Sequence, residues 1–344
     1  MTVHIGILGN GNISQTHARA AREIEGAEIV AVYGRNVEKA KGLAELHGGR
    51  AYADLESFLR HQPMEIVLIG SPSGLHAAHG IQAARHGLHV LVEKPIDITT
   101  AKADALIAAC EQAGVKLGVF FQDRMAPDIH RLKILLDEGR LGKPLLVSAR
   151  VRWYRPPEYY EVAPWRGDWM LAGGGALMNQ GVHTVDLLWW LLGDVTSVWG
   201  KAITALHHVE VEDTVIAGFE FSNGAVGTLE AATSAYPGSP RSVELTGSEG
   251  TVVLENDRLV ACHLRTPIPG LTIEPEKLQN ERSASPVISD TRGHRAIIED
   301  FLQAIATDSK PLCDGHQARP SVELVQAIYE SSRTGQAIKF EQRP

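Results

Sequence analysis

The apolar run Val3-His4-Ile5-Gly6-Ile7-Leu8 ends directly on Gly9-Asn10-Gly11-Asn12-Ile13-Ser14, and a helical pattern begins near Ile13. A short buried strand that turns on glycines into a helix admits few folds. Further strands follow at Glu28–Tyr33, Arg50–Tyr52, Glu65–Ile69, Leu88–Val92 and Val115–Phe120, with helices predicted over 75–86 and 99–113. Short apolar strands alternating with helices predict a parallel sheet covered on both faces. Residues 1–122 are therefore expected to form a doubly wound, Rossmann-type dinucleotide-binding domain.

Beyond residue 122 the pattern changes. A helix is predicted near Asp128–Glu138, a long strand at Leu145–Tyr154 and a helix over Ala176–Leu192. Strands then dominate from Ser197 to His263, separated by turn signals such as Asn223-Gly224 and Asn256-Asp257. Residues 123–344 are expected to form an α+β domain with a largely antiparallel open sheet. The polar stretch Pro267–Thr291 reads as a loop, and helices near His294–Thr307 and Ser321–Ser332 close the chain.

Composition narrows the partners. Lys and Arg number 33 against 41 Asp and Glu, a net charge of −8 with no long basic run, which argues against nucleic acid. The three cysteines, Cys110, Cys262 and Cys313, form no CxxC pair, so neither a disulfide framework nor a cysteine-based metal site is expected. No basic leader precedes the first strand and no apolar run is long enough to cross a bilayer, so a cytoplasmic location without membrane contact is expected.

The glycine turn carries the first chemistry. Gly9 permits the tight turn, and Gly11 lets a pyrophosphate approach the backbone, where the N–H groups of Asn12 and Ile13 open a helix whose dipole favours an anion. A NAD-selective site places Asp or Glu at the end of the second strand. Here that strand ends Val32-Tyr33-Gly34-Arg35-Asn36. A guanidinium replaces the acid, and Arg35 suits a 2′-phosphate, which favours NADP over NAD.

Lys94 directly follows the strand Leu88–Val92, in Glu93-Lys94-Pro95. Ligands of open α/β sheets lie at the carboxyl ends of strands, so an ammonium there is placed to stabilise a developing alkoxide. Three residues alone leave a surface lysine as the simpler reading. Ser71-Pro72 follows the preceding strand in the same way and is expected to border the nicotinamide.

These motifs occur in a specific order across nearly the whole chain. They are the glycine turn, Ser71-Pro72 with His76, His89–Pro95, Gly139–Pro144, Gly173–Leu177, Gly181–Asp186 and Thr246–Thr251. In that combination the sequence resembles the glucose–fructose oxidoreductase/inositol dehydrogenase family (Gfo/Idh/MocA). The resemblance implies a Rossmann domain followed by an α/β domain whose open sheet supports dimers or tetramers. It also implies hydride transfer between NAD or NADP and a carbinol carbon of a sugar, sugar acid or nucleotide sugar. Lys94 and His183 are then the catalytic pair. The cofactor is expected on Gly9, Gly11, Asn12, Ile13, Arg35, Ser71, Pro72, His76, Glu93, Lys94 and Gln122.

Asn179, His183 and Asp186 fall at i, i+4 and i+7, on one face of the predicted helix. Met178, Val182, Val185, Trp189 and Leu192 form the apolar stripe that anchors it. An isolated histidine there would read as a core residue satisfied by Asp186. The resemblance favours a general base instead, because the family's lysine works with a histidine at this position. Many members carry Asp one turn earlier. Asn179 cannot serve as a base, so a carboxylate relay at that position is in doubt. Asparagine-containing relatives acting on N-acetylated uronic-acid nucleotide sugars are similar here.

The segment from Arg152 to Asp168 is rich in aromatics and arginine, which suit sugar rings and carboxylates, or equally a packing strip or an interface between protomers. Tyr154, Arg155, Trp165, Arg166, Asn179 and His183, with Arg124 and Lys94, are the expected substrate residues. Two other readings use much the same residues. One is a closed redox cycle on tightly held NAD leading to elimination or glycoside cleavage. The other is a non-catalytic sugar sensor, disfavoured by the retained Lys94 and His183. No motif calls for a metal.

Overall fold

The computed structural model describes residues 2–268, 273 and 290–341. Most of the loop expected over Pro267–Thr291 lies outside the described residues. The chain divides into two compact units, Met1–Gln122 with Val287–Val322, and Asp123–Pro286 with Glu323–Pro344.

In the first unit, six parallel strands form one sheet: β1 (Val3–Leu8), β2 (Ala27–Tyr33), β3 (Arg50–Tyr52), β4 (Ile66–Ile69), β5 (His89–Val92) and β6 (Leu117–Val119). Their order is β3-β2-β1-β4-β5-β6. The chain runs from β1 outward to β3, then returns to place β4 on the other side of β1. With right-handed crossovers this puts helices on both faces and opens a crevice outside the carboxyl ends of β1 and β4. The central strands are nearly continuous apolar runs, with Ile5, Ile7, Leu8 and Ile66 to Ile69 all buried, as a sheet covered on both faces requires.

The first unit also takes in a late segment of the chain. Helix Arg292–Ala306 buries Ile297, Ile298 and Phe301 and packs against helix Asn12–Arg22. Thr291 Oγ1 donates to Glu23 at 2.8 Å, and Val119 N donates to Cys313 O at 2.9 Å. A single boundary at 122/123 therefore does not describe the chain. The return of 290–322 is a long-range packing event with no local signal.

In the second unit an eight-stranded sheet has the order β13-β12-β11-β7-β10-β9-β8-β14. Its strands are β7 (Pro144–Arg152), β8 (Val195–Ile203), β9 (Thr214–Phe221), β10 (Val226–Ala232), β11 (Ser242–Gly247), β12 (Gly250–Glu255), β13 (Arg258–Leu264) and β14 (Ile338–Lys339). Every pairing is antiparallel except β7 with β10. One face is apolar, with Val147, Ala149, Val151, Ala217, Phe219, Leu229 and Ala231 buried. Helix Val182–Leu192 packs on it, close enough that a Cβ added at Gly181 would lie 3.2 Å from Ala231. The helix expected to run unbroken over 176–192 instead begins with a π-helical turn, Ala176–Gly181. Such wide turns are frequent at functional sites.

Candidate active site

In the first unit, the site starts at the end of β1. Gly9 has φ +125, and a Cβ there would sit 2.7 Å from both Gly70 O and Ser14 Oγ, so only glycine makes this turn. Ser14, at the third position of the motif, is buried where the ends of β1 and β4 come close. Gly11 caps helix Asn12–Arg22 with no side chain bonded to the free N–H groups, and nothing lies within 4 Å of where its Cβ would be. The result is an uncapped, open helix N-terminus, suited to a pyrophosphate. Asn10 Nδ2 donates to Asn36 O at 2.8 Å, and Asn36 caps the next helix by accepting from Lys39 N. These bonds hold the loop that carries the exposed Arg35.

The loops after β4 and β5 are joined by His76. Its buried ring meets Ser71 O at 2.9 Å and Pro95 O at 2.8 Å. His76, expected among the cofactor residues, thus braces the Ser71-Pro72 and Lys94-Pro95 backbone. Ser71 Oγ contacts His79 Nδ1 at 2.9 Å; burial, with the charges of His76 and Arg35, lowers His79 to about 4.

Glu93 also departs from expectation. It is buried, and its carboxylate turns inward: Oε1 lies 2.8 Å from His17 Nε2 and 3.6 Å from His294 Nε2, and Oε2 accepts from Lys94 N at 3.1 Å. Burial works to raise the Glu93 carboxyl, yet the two histidines hold it well below its ordinary value. Burial pushes His17 down, outweighing Glu93. His17 also stacks on Phe120 at 4.4 Å. Glu93, expected among the cofactor residues, is thus engaged by His17, His294 and the Lys94 backbone. Gln122 rests its side chain against Gly293.

In the second unit, His183 stands in the first turn of helix Val182–Leu192, with 12% of its side chain exposed. Its Nδ1 lies 3.4 Å from Asp123 Oδ2, and Asp123 is paired with Arg241, itself paired with Asp257. The partner expected from spacing, Asp186, is used elsewhere: it accepts from Arg124 Nε at 2.8 Å and Nη2 at 2.6 Å. Arg124 is fully buried, with its guanidinium near the Trp189 and Trp190 rings. Arg124, expected among the substrate residues, thus sits in a buried ion pair with Asp186.

The glycine run before His183 is explained by Glu212. This buried carboxylate accepts from Gly175 N at 2.6 Å, Leu177 N at 2.8 Å and Tyr329 Oη at 3.0 Å. A Cβ on Gly175 would lie 1.8 Å from Glu212 O. Burial pushes the Glu212 carboxyl up to about 7 despite these donors.

The aromatic and arginine segment gathers around Tyr159. Its hydroxyl accepts from Asn179 Nδ2 at 3.2 Å and Gln180 Nε2 at 3.1 Å, and Arg166 lies 4.1 Å from its ring. Arg155 is buried near the Trp153 and Tyr159 rings. Trp165, Arg166 and Asn179 remain half-buried, and Tyr154 packs edge-on against Tyr236. Asp123, His17, His294, Arg241 and Glu212 were not singled out from sequence. Only Asp123 carried a signal, as the neighbour of Gln122 and Arg124 just past the last Rossmann strand.

Comparison with known proteins agrees with this architecture. Residues 3–121 match the oxidoreductase family with an NAD-binding Rossmann fold, and residues 129–253 match the GFO/IDH/MocA C-terminal domain. The chain is 31% identical to the WlbA dehydrogenase from Bordetella pertussis, solved in complex with NADH and UDP-GlcNAcA. That superposition has a TM-score of 0.89 and covers 99% of this chain and 98% of the other. Identity is 27% to the D-xylose 1-dehydrogenase (NADP(+)) 2 of Haloferax volcanii, over 98% of this chain and 99% of that protein. It is 25% to the 1,5-anhydro-D-fructose reductase of Ensifer adhaerens, over 98% of both.

Proposed function

Because this chain belongs to the Gfo/Idh/MocA oxidoreductases, we propose that it interconverts a carbinol and a ketone on a sugar nucleotide bearing a carboxylate, using a nicotinamide dinucleotide. The observation that carries the oxidoreductase reading is the open helix N-terminus at Gly11, after β1 of the same parallel sheet whose strand β5 leads into Glu93-Lys94. Asn12 and Ile13 would hold the pyrophosphate with their N–H groups, and the Ser71-Pro72 and Lys94-Pro95 backbone would flank the nicotinamide. When bound, the dinucleotide supplies the hydride acceptor or donor.

In the oxidative direction, the role assigned to His183 is to take the hydroxyl proton, and that of the Lys94 ammonium is to stabilise alkoxide character. Lys94→Ala and His183→Ala should each lower turnover by about 10²- to 10⁴-fold, while fluorescence titration shows dinucleotide affinity largely kept. Wild-type turnover in either variant refutes that residue's role.

Three lines support the carboxylated nucleotide sugar. One is the likeness to a protein solved with UDP-GlcNAcA. Another is Asn179, a half-buried neutral amide one helical turn before His183, which suits hydrogen bonding to a sugar substituent. The third is the half-buried Arg166, a guanidinium that suits a carboxylate. Oxidation rates with UDP-GlcNAcA, UDP-GlcNAc and free xylose test it. Equal kcat/KM with and without the carboxylate overturns that part.

Arg35, exposed beyond Tyr33-Gly34 with no acid beside it, supports NADP as the preferred cofactor. NADPH should bind more tightly than NADH, and Arg35→Ala should reduce that preference by about tenfold. Copurification of tightly held NAD overturns this preference.

We further assign a homodimer or homotetramer built on the open face of the eight-stranded sheet. That face exposes Trp199, Ile203, Ile216, Val226 and Leu146. Sedimentation as a monomer at micromolar concentration overturns it. The free thiols of Cys110 and Cys262 support a cytoplasmic location.

A further inference from the structure

We propose that Asp123 is the positioning residue of His183: its carboxylate accepts the Nδ1 proton, fixes the ring and tautomer, and leaves Nε2 as the atom that takes the substrate proton. This rests on His183 being the base.

Four observations carry the assignment. Asp123 Oδ2 lies 3.4 Å from His183 Nδ1, and the two side chains are only 5% and 12% exposed. A carboxylate in so dry a place orients an imidazole more strongly than one in water. Asp123 is itself anchored: Arg241 pairs with it, and Asp257 holds Arg241 from the other side. The other carboxylate on the helix is excluded, since both oxygens of Asp186 are bonded to Arg124. Finally, the residue one turn before His183 is Asn179, a neutral amide that donates to Tyr159. The carboxylate beside His183 Nδ1 thus comes from the turn Gln122–Met125 and not from the helix itself.

The charge balance suits proton uptake. Asp123, Arg241 and Asp257 together carry one net negative charge behind the ring. When the hydroxyl proton passes to Nε2, Nδ1–H stays on Asp123 and the imidazolium faces an anion that is already in place. In a histidine–aspartate pair of this kind, the carboxylate orients the ring and stabilises its charged form without itself becoming protonated.

The test uses the full-length enzyme. Long-range ¹⁵N–¹H spectra of the wild type, with His183 assigned by its loss in His183→Gln, should show Nδ1 protonated and Nε2 bare near pH 8. A dominant Nε2–H tautomer overturns the proposal, and this readout requires no Asp123 variant to fold. Asp123→Asn should lower kcat by about 10²-fold or more, leave KM and NADPH affinity within about threefold, and shift His183 toward Nε2–H. Asp123→Glu should recover part of kcat. Wild-type kcat in Asp123→Asn, with His183→Ala inactive, overturns the role of Asp123 and leaves His183 as the base. Wild-type turnover in His183→Ala overturns the base assignment, and this inference with it.

Discussion

The two units prepare their chemistry in opposite ways. In the first, the dinucleotide cradle is made of backbone: a glycine turn, an uncapped helix start, and loops after β4 and β5 pinned through carbonyls by His76. In the second, the proposed chemistry hangs on side chains held by other side chains. His183 is backed by Asp123 and Arg241, its approach is clamped by Glu212, and its helix is fastened by Arg124 and Asp186. A backbone site tolerates changes of side chain, which is why Ser14 serves at the third position of the glycine motif. A side-chain site depends on every partner, because each buried polar group left alone costs free energy.

The largest expected effect tests the fastening of the helix. Arg124→Leu leaves Asp186 as a buried, unpaired charge and should cost about 3–5 kcal/mol of stability in urea unfolding. Replacing Arg124 and Asp186 together with Leu should restore most of it. If Arg124→Leu instead raises KM for the sugar at unchanged stability, Arg124 belongs to the substrate surface and the contrast between the units weakens.

Next comes a pair of glycines, one from each unit. Gly175→Ala drives a methyl into Glu212 O and should cost about 1–3 kcal/mol, lowering kcat while NADPH affinity is preserved. Gly9→Ala should do the reverse, with NADPH affinity down about tenfold or more and little change at His183. Both variants losing the same function would erase the distinction.

The smallest effect is a matter of pH. Burial raises Glu212 from 4.5 to about 7, so the ionised form is the one penalised in the folded protein. The associated stability is complete below pH 4.5 and is lost as pH rises through about 7, with a slope of at most about 1.4 kcal/mol per pH unit. Unfolding free energies of the wild type and Glu212→Gln, compared between pH 5 and 8, should diverge over that window. Parallel curves would mean that the three donors keep the group ionised throughout.

These contrasts match what can be read from the chain. The first strand was placed at Val3–Leu8, as observed, and Lys94 was located from the strand that precedes it. The helix of His183 was legible from its apolar stripe, though not the π turn at its start, because the clamp comes from Glu212 in a distant segment. Spacing suggested Asp186 as the partner of His183, since i, i+3 neighbours share a helix face. It gave no sign that Arg124 already occupied that carboxylate.

By itself, the sequence determined the alternation of strands and helices, the glycine turn, and the positions of Lys94 and His183 in the chain. All of these rest on periodicities and turn chemistry acting over a few residues. Tertiary structure alone decided the partners: His17 with Glu93 across 76 positions, Arg124 with Asp186 across 62, and Asp123 with His183. A buried charge takes whichever counter-charge the packed chain brings within reach, and no local pattern records which one that is.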